Sequence, residues 1–235
     1  MARPRAATYD DQRAQILKAA AHVFARKGYT AATMNEVAAA SGVSKATLYH
    51  YFSDKHALLD DIVRSHVARL ELLAGQEPQA VWSRQERLTS VQDPVAETFS
   101  TATEVEAEDR LRALIRRFMQ AYADAQSEHR VLTEDVKFLD ERAREAVLDG
   151  QRRVVAAFAQ GIAACRPDLA VDLHKPMAML LFGMINWTFT WLRPDGTLTY
   201  AALGDMVADL FFGGLPAVGA TLAPAQGGRE APGLR

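Results

Sequence analysis

Lys45, Ala46, Thr47, Tyr49 and His50 form one short run behind Ser44, and together they offer what a DNA duplex presents contacts for. Lysine gives a phosphate or guanine contact, the methyls of alanine and threonine meet the thymine methyl, and tyrosine and histidine donate to phosphate oxygens. Leu48 interrupts the set and faces inward at helical spacing, which leaves the others outside. Thr33 at one helix start and Lys55 at another add positions where free backbone N–H groups and an ammonium suit a phosphate. Catalytic chemistry has no comparable signature. The chain lacks H-E-x-x-H, C-x-x-C, G-x-S-x-G and a Gly-rich phosphate loop after a strand. Cys165 and the six histidines have no partner at motif spacing. Neither an enzyme activity nor a metal or resident cofactor is expected.

The run needs helices to hold it. Thr33 with Glu36 three residues later spells a capping box, and Val37 and Ala38 give the helix that follows its inner face. Ser41-Gly42 breaks that helix, because glycine takes the positive φ that a sharp exit requires, and Val43 returns to the core. Ser44 caps the next helix, Tyr51 and Phe52 anchor its end, and Ser53 is read as the cap of another. Leu58, Leu59, Ile62, His66, Leu70 and Leu73 continue that last helix to about Leu73. Upstream, Ile16, Ala20 and Phe24 mark an amphipathic helix that ends at Gly28-Tyr29. Two short helices around a tight turn, after an opening helix, are the layout of a helix-turn-helix.

Charge agrees with a nucleic-acid partner. Residues 1–55 hold eight Lys/Arg against four Asp/Glu, a net +4; the whole chain is −2, so the remainder sums to −6. A basic head binds phosphates by releasing counterions, and an acidic body avoids them. Arg3 and Arg5 read either as a flexible DNA-reaching arm or as a solubilising terminus. One cysteine and the lack of an apolar leader fit a cytoplasmic protein. The longest apolar stretch, Met177 to Leu192, is shorter than the ~20 residues of a membrane span, so no membrane partner is expected.

Residues 15–59, QILKAAAHVFARKGYTAATMNEVAAASGVSKATLYHYFSDKHALL, resemble the N-terminal domain of TetR-family transcriptional repressors. The resemblance rests on the opening helix, the Gly28-Tyr29 break, the T-x-x-E cap, the A-x-x-S-G-V-S turn and the aromatic end LYHYF. It implies an all-α fold: an N-terminal three-helix helix-turn-helix DNA-binding domain plus a larger helical ligand-binding and dimerisation domain. Arm and head are assigned to 1–53, the body to 54–214 and a flexible tail to 215–235. The implied partners are a palindromic double-stranded DNA operator, a second copy of the chain and a small-molecule effector that releases the repressor.

In the body, residues 74–104 lose the helical pattern and read as a mobile loop or poorly ordered short helices around Val81-Trp82 and Val95, with a lid as an alternative. The period returns from Glu108, and further helices are expected near Val131 to Leu139 and from Glu141 to about Arg166. A helix starting at Lys175-Pro176 is apolar almost all round through Leu192, and another runs from Tyr200 to Phe212. Such helices must be covered on every side, which suggests a four-helix dimer seam with Met184, Phe189, Met206 and Leu210 as candidates. The segment from Leu180 to Leu215, with N-W-x-x-x-W and R-P-D-G, resembles the TetR-like subgroup that senses acyl-CoA thioesters in fatty-acid, aromatic-acid or steroid degradation. That resemblance implies an apolar slot, for which Phe118, Tyr122, Phe138, Phe158, Trp187 and Trp191 are candidates, and cations for phosphates, with Arg116 and Arg152 among them. Asn186 bonds either a thioester carbonyl or protein groups, and Trp187 and Trp191 line either the pocket or the seam. Two alternatives stay open: a repressor that answers a free acid or a lipophilic drug, for which Glu134, Asp135 and Asp140 supply acid, and a sequence-tolerant architectural DNA binder.

Overall fold

Thr33, Ser44, Asp140 and Thr199 each accept a backbone N–H from the first turn of the helix that follows them, so four helix starts are written directly in the sequence. A computed structural model describes residues 9–75, 94–193 and 195–215. Arg3, Arg5, the Val81-Trp82 stretch and the tail from residue 216 lie outside the described residues. Helices α1 (Tyr9–Lys27), α2 (Met34–Ser41), α3 (Lys45–Tyr51) and α4 (Lys55–Gly75) are followed by α5 (Pro94–Asp124), α6 (Gln126–Asp135), α7 (Glu141–Cys165), α8 (Val171–Ile185) and α9 (Tyr200–Gly214). Single 3-10 turns occupy Val136–Phe138 and Thr188–Thr190. There is no strand among the described residues, and the all-α class stands.

The turns obey local chemistry. Thr33 Oγ1 accepts from the Glu36 N–H while Glu36 Oε2 accepts from the Thr33 N–H at 3.0 Å, the full capping box. Gly42 takes φ 70°, where a side chain would be strained, and its own N–H and that of Val43 close the end of α2. The cap of α4 is Asp54 rather than Ser53: its Oδ1 accepts from the Ala57 N–H at 2.8 Å, while Ser53 only donates to the same carboxylate.

Two apolar clusters hold the helices. One lies under the head, with Ile16, Phe24, Val37, Leu48 and Leu59 at 0% exposure, and it runs on into Val131, Leu132, Leu139 and Val147 of the body. The other joins α5, α7, α8 and α9 around Phe118, Phe158 and Phe182. Because Val67 and Leu132 belong to the first cluster and Leu70 to the second, α4 passes from one core to the other.

Three expectations for the body change. Helix resumes at Pro94, not Glu108; proline fits a first turn, where its missing N–H costs nothing. Helix α8 starts at Val171 with Pro176 inside it; the Leu173 N–H bonding Ala170 O and the His174 ring bonding Leu169 O brace its first turn. It also ends at Ile185, so the apolar run to Leu192 is a helix, a C-cap at Asn186 and a 3-10 turn. Among the described residues no helix is long and apolar enough to cross a membrane.

Candidate nucleic-acid interface and ligand pocket

Helix α3 turns its candidate contact residues outward. Leu48 is fully buried beneath it, while Lys45, Ala46, Tyr49 and His50 are exposed and Thr47 is half-buried. Ser44 Oγ accepts from the Thr47 N–H at 3.0 Å and bonds the Thr47 hydroxyl at 2.8 Å, which fixes both at the helix start. The Lys45 ammonium lies 5.9 Å from the Tyr49 ring centroid. The rear of α3 is locked to α1: the Tyr51 ring stacks on Tyr9 at 4.6 Å and its hydroxyl donates to Gln12 Oε1 at 3.0 Å. Thr33 is exposed at the start of α2.

Lys55 does a different job from the one its position suggested. Its ammonium donates to the carbonyls of Tyr29 (2.8 Å), Thr30 (3.1 Å) and Ala32 (3.0 Å), and it lies 4.5 Å from the centre of the Tyr29 ring. An ammonium has three N–H groups, so all of them are spent on the α1–α2 turn. Phe138, expected in an apolar slot, stacks against Tyr29 at 5.1 Å. It joins head to body and lies away from the cavity.

A cavity of about 320 Å³ opens between α4, α5, α6, α7 and α8. Its apolar wall comes from Val67 and Leu70 of α4, Leu132 and Val136, Val154 and Val155 of α7, and Met179 and Phe182 of α8. The polar side holds Tyr122, His129, Thr133, Gln151 and Asn186. Of the sequence candidates, Tyr122 and Asn186 line it. Phe118 and Phe158 are packed in the core behind, edge to face at 4.8 Å. Trp187 and Trp191, at 52% and 55% exposure, stand outside it. Arg116 is paired with Asp205, and Arg152 with Glu145 and Asp149 on the exposed face of α7, so neither faces the cavity. The acids also lie elsewhere: Glu134 pairs with Arg130 at 3.1 Å and Asp140 caps α7.

A hydrogen-bond chain crosses the polar side. The Tyr122 hydroxyl donates to Asn186 Oδ1 at 2.9 Å. His129 Nε2 lies 3.0 Å from the Asn186 carbonyl, and its Nδ1 lies 3.3 Å from His66 Nε2 on α4. A carbonyl only accepts, so His129 carries a proton on Nε2, and with the ring neutral its Nδ1 takes the His66 Nε2–H. Burial keeps both rings neutral: it lowers the His66 pKa to about 3, helped by the facing His129 and Arg69, and the His129 pKa to about 4 against the Asn186 carbonyl. Tyr122 stacks on His129 at 3.8 Å, and Phe189, a candidate for the seam, turns inward and packs edge-on against the same ring.

Helix α4 thus touches the pocket while it carries the head. Gly150 lets α7 lie against it, since a methyl there would overlap Val67 and Glu71. Arg153 grips the Glu71 carboxylate with two bonds, 2.9 and 3.0 Å. The signal for His66 was present as a polar residue on an apolar face; nothing marked His129, Thr133 or Gln151, which reach the cavity only by tertiary packing.

Comparison with known proteins gives a consistent picture. Residues 16–62 match the family model of bacterial regulatory proteins, tetR family, and residues 104–215 match the tetracyclin repressor-like C-terminal domain. A TetR-family transcriptional regulator from Bordetella parapertussis is similar at 30% identity, with 86% of this chain and 95% of that one covered and a TM-score of 0.65. The HTH-type transcriptional repressor KstR2 of Mycobacterium tuberculosis is 26% identical over 214 residues, which span 88% of this chain and 94% of the relative. AibR in complex with isovaleryl coenzyme A and operator DNA shares the fold, at 22% identity, TM-score 0.63, and 85% and 97% coverage.

Proposed function

This chain belongs to the TetR family of bacterial transcriptional regulators, and from that premise we propose that it is a homodimeric operator-binding repressor released by a small acyl effector. The observation that carries the reading is the outward face of α3, Lys45, Ala46, Thr47, Tyr49 and His50, fixed from beneath by Leu48 and from behind by Tyr51. Thr47 and Ala46 sit where base edges are read; Lys45, Tyr49 and His50 serve phosphates, and the exposed Thr33 and Ser44 flank them. Lys55 supports this surface by holding the α1–α2 turn.

Dimerisation is supported by the exposed apolar side chains of the C-terminal helices. Leu180, Met206 and Leu210, at 63%, 51% and 70% exposure, stand out with Trp187 and Trp191, and a monomer seldom leaves so much large apolar surface in water. Half-buried Met184 lies on the same helix as Leu180. Two heads held about 34–36 Å apart would meet successive major grooves of a palindrome.

The effector site is the cavity beside α4. An acyl-CoA thioester is favoured by the complex of AibR with isovaleryl coenzyme A and by the apolar wall. The cations for its phosphates are not Arg116 and Arg152, so only the acyl end is assigned to the cavity. Cys165 adds no nucleophile, because burial pushes its thiol up to about 12, and the reading includes no catalysis and a cytoplasmic location.

The test is a footprint and mobility shift on fragments from the chain's own promoter region, with sedimentation of the free protein. A protected palindrome, a dimer and loss of the complex with an acyl-CoA are expected, and Tyr49→Ala should weaken binding about tenfold or more. Binding without site preference would establish an architectural binder instead, and release by a lipophilic drug alone would reject the acyl effector.

A further inference from the structure

Among the described residues the cavity wall carries no Lys, Arg, Asp or Glu. Most of its polar atoms are already engaged: the Thr133 hydroxyl donates to the His129 carbonyl at 2.8 Å, His129 serves Asn186 and His66, and the Tyr122 hydroxyl donates to Asn186 Oδ1. The Asn186 Nδ2 amino group and the Gln151 amide remain, with no protein partner among the described residues. We propose that this pocket selects its effector by charge as well as shape, taking an uncharged carbonyl group whose oxygen accepts from Asn186 Nδ2 and Gln151, and rejecting the carboxylate and the amine of the same skeleton.

The proposal rests on the regulator reading above and narrows its effector. A carbonyl oxygen accepts and does not donate, which complements the N–H donors of the Asn186 and Gln151 amides. A free carboxylate in this wall would lose its hydration with no cation to meet it, and an ammonium would find only neutral acceptors, the Gln151 amide oxygen and the hydroxyl lone pairs, with no carboxylate among the described lining residues. His129 does not step in as the cation, because burial between Asn186 and His66 keeps its ring neutral. At about 320 Å³ the cavity lies at the lower end of ligand sites, which fits a short or medium acyl chain or a single ring. The position of Asn186 also gives the carbonyl a consequence. Its backbone oxygen holds His129, and through it His66 of α4, so the residue that reads the ligand anchors the chain that reaches the connector.

The experiment titrates the full-length protein calorimetrically, without DNA, using matched short and medium chains as acyl-CoA, acyl N-acetylcysteamine thioester, methyl ketone, free acid and primary amine. Both thioesters are expected to bind at least about thirtyfold tighter than acid and amine. A ketone that binds as well assigns any carbonyl; one that does not assigns the thioester. Asn186→Leu is expected to erase the preference for the neutral ligand, with a lower melting temperature because the buried Tyr122 hydroxyl loses its acceptor. Gln151→Leu, at a half-buried position outside the hydrogen-bond chain, provides the second variant; it should keep the melting temperature near that of the parent and reduce the preference in part. Acid or amine binding within about threefold of the thioester, binding by the CoA ester alone, silence of the whole series, or unchanged preference in both variants would overturn the proposal. Failure of the unliganded protein to bind any promoter fragment would instead sink the regulator reading, since the charge preference is measured in the absence of DNA.

Discussion

The proposed reading head and the proposed effector pocket are built in opposite ways. The head gathers its reading side chains from one continuous segment, with charged and polar groups exposed and an aliphatic residue, Leu48, buried beneath. Among the described residues the pocket draws on five helices and has no Lys, Arg, Asp or Glu in its wall. A surface that meets phosphates gains from charge in water, where desolvation is small, whereas a cavity that closes around an apolar ligand makes each unpaired charge costly. Helix α4 belongs to both, with Lys55 at the turn of the head and His66 in the hydrogen-bond chain of the pocket.

The sharpest way to break this contrast is Leu48→Ala. A fully buried leucine truncated in a packed core costs about 2–5 kcal/mol, so melting should fall and operator binding should be lost, while acyl-thioester binding to the folded protein persists. Equal loss of both would show that head and pocket do not act as separate sites. A smaller effect tests the neutrality of the pocket. The folded pKa values of His66 and His129, about 3 and 4, lie below the ordinary value of 6.5. Between about pH 4 and 6.5 the unfolded chain therefore binds more protons than the folded one. Stability is complete above that window and declines as pH falls through it, by roughly 2 kcal/mol for each ring at pH 5. Thermal melts at pH 7.5 and 5 should show the loss, and His66→Leu should shrink it; an unchanged melting temperature would mean that the rings are not held neutral. The smallest effect belongs to the local code of the head. Thr33→Ala removes a cap worth about 1 kcal/mol, whereas Thr33→Ser keeps it; a melt that separates the two variants sharpens the claim that the head is specified by short-range bonds.

Legibility follows the same divide. The capping box, the Gly42 turn, Ser44 and the outward face of α3 could all be read from the chain, because each depends on residues within four positions of one another. Lys55 could not, since its fate is decided by three carbonyls 23 to 26 residues away. Phe118 and Phe158 have the composition of a ligand slot and the position of a core. Arg116 and Arg152 have the charge for phosphates but lie on faces where aspartate and glutamate already meet them. The apolar run after Lys175 suggested one continuous helix, and helical periodicity alone could not show that Asn186 ends it.

By itself the sequence determined the helices, most of their caps, the class of the fold and the surface offered to DNA, since those follow from backbone hydrogen bonding and periodicity over a few residues. Tertiary structure alone decided which polar groups meet in the cavity. His66, His129 and Asn186 are separated by 63 and 57 residues along the chain, and only the packing of α4, α6 and α8 brings them within hydrogen-bond reach.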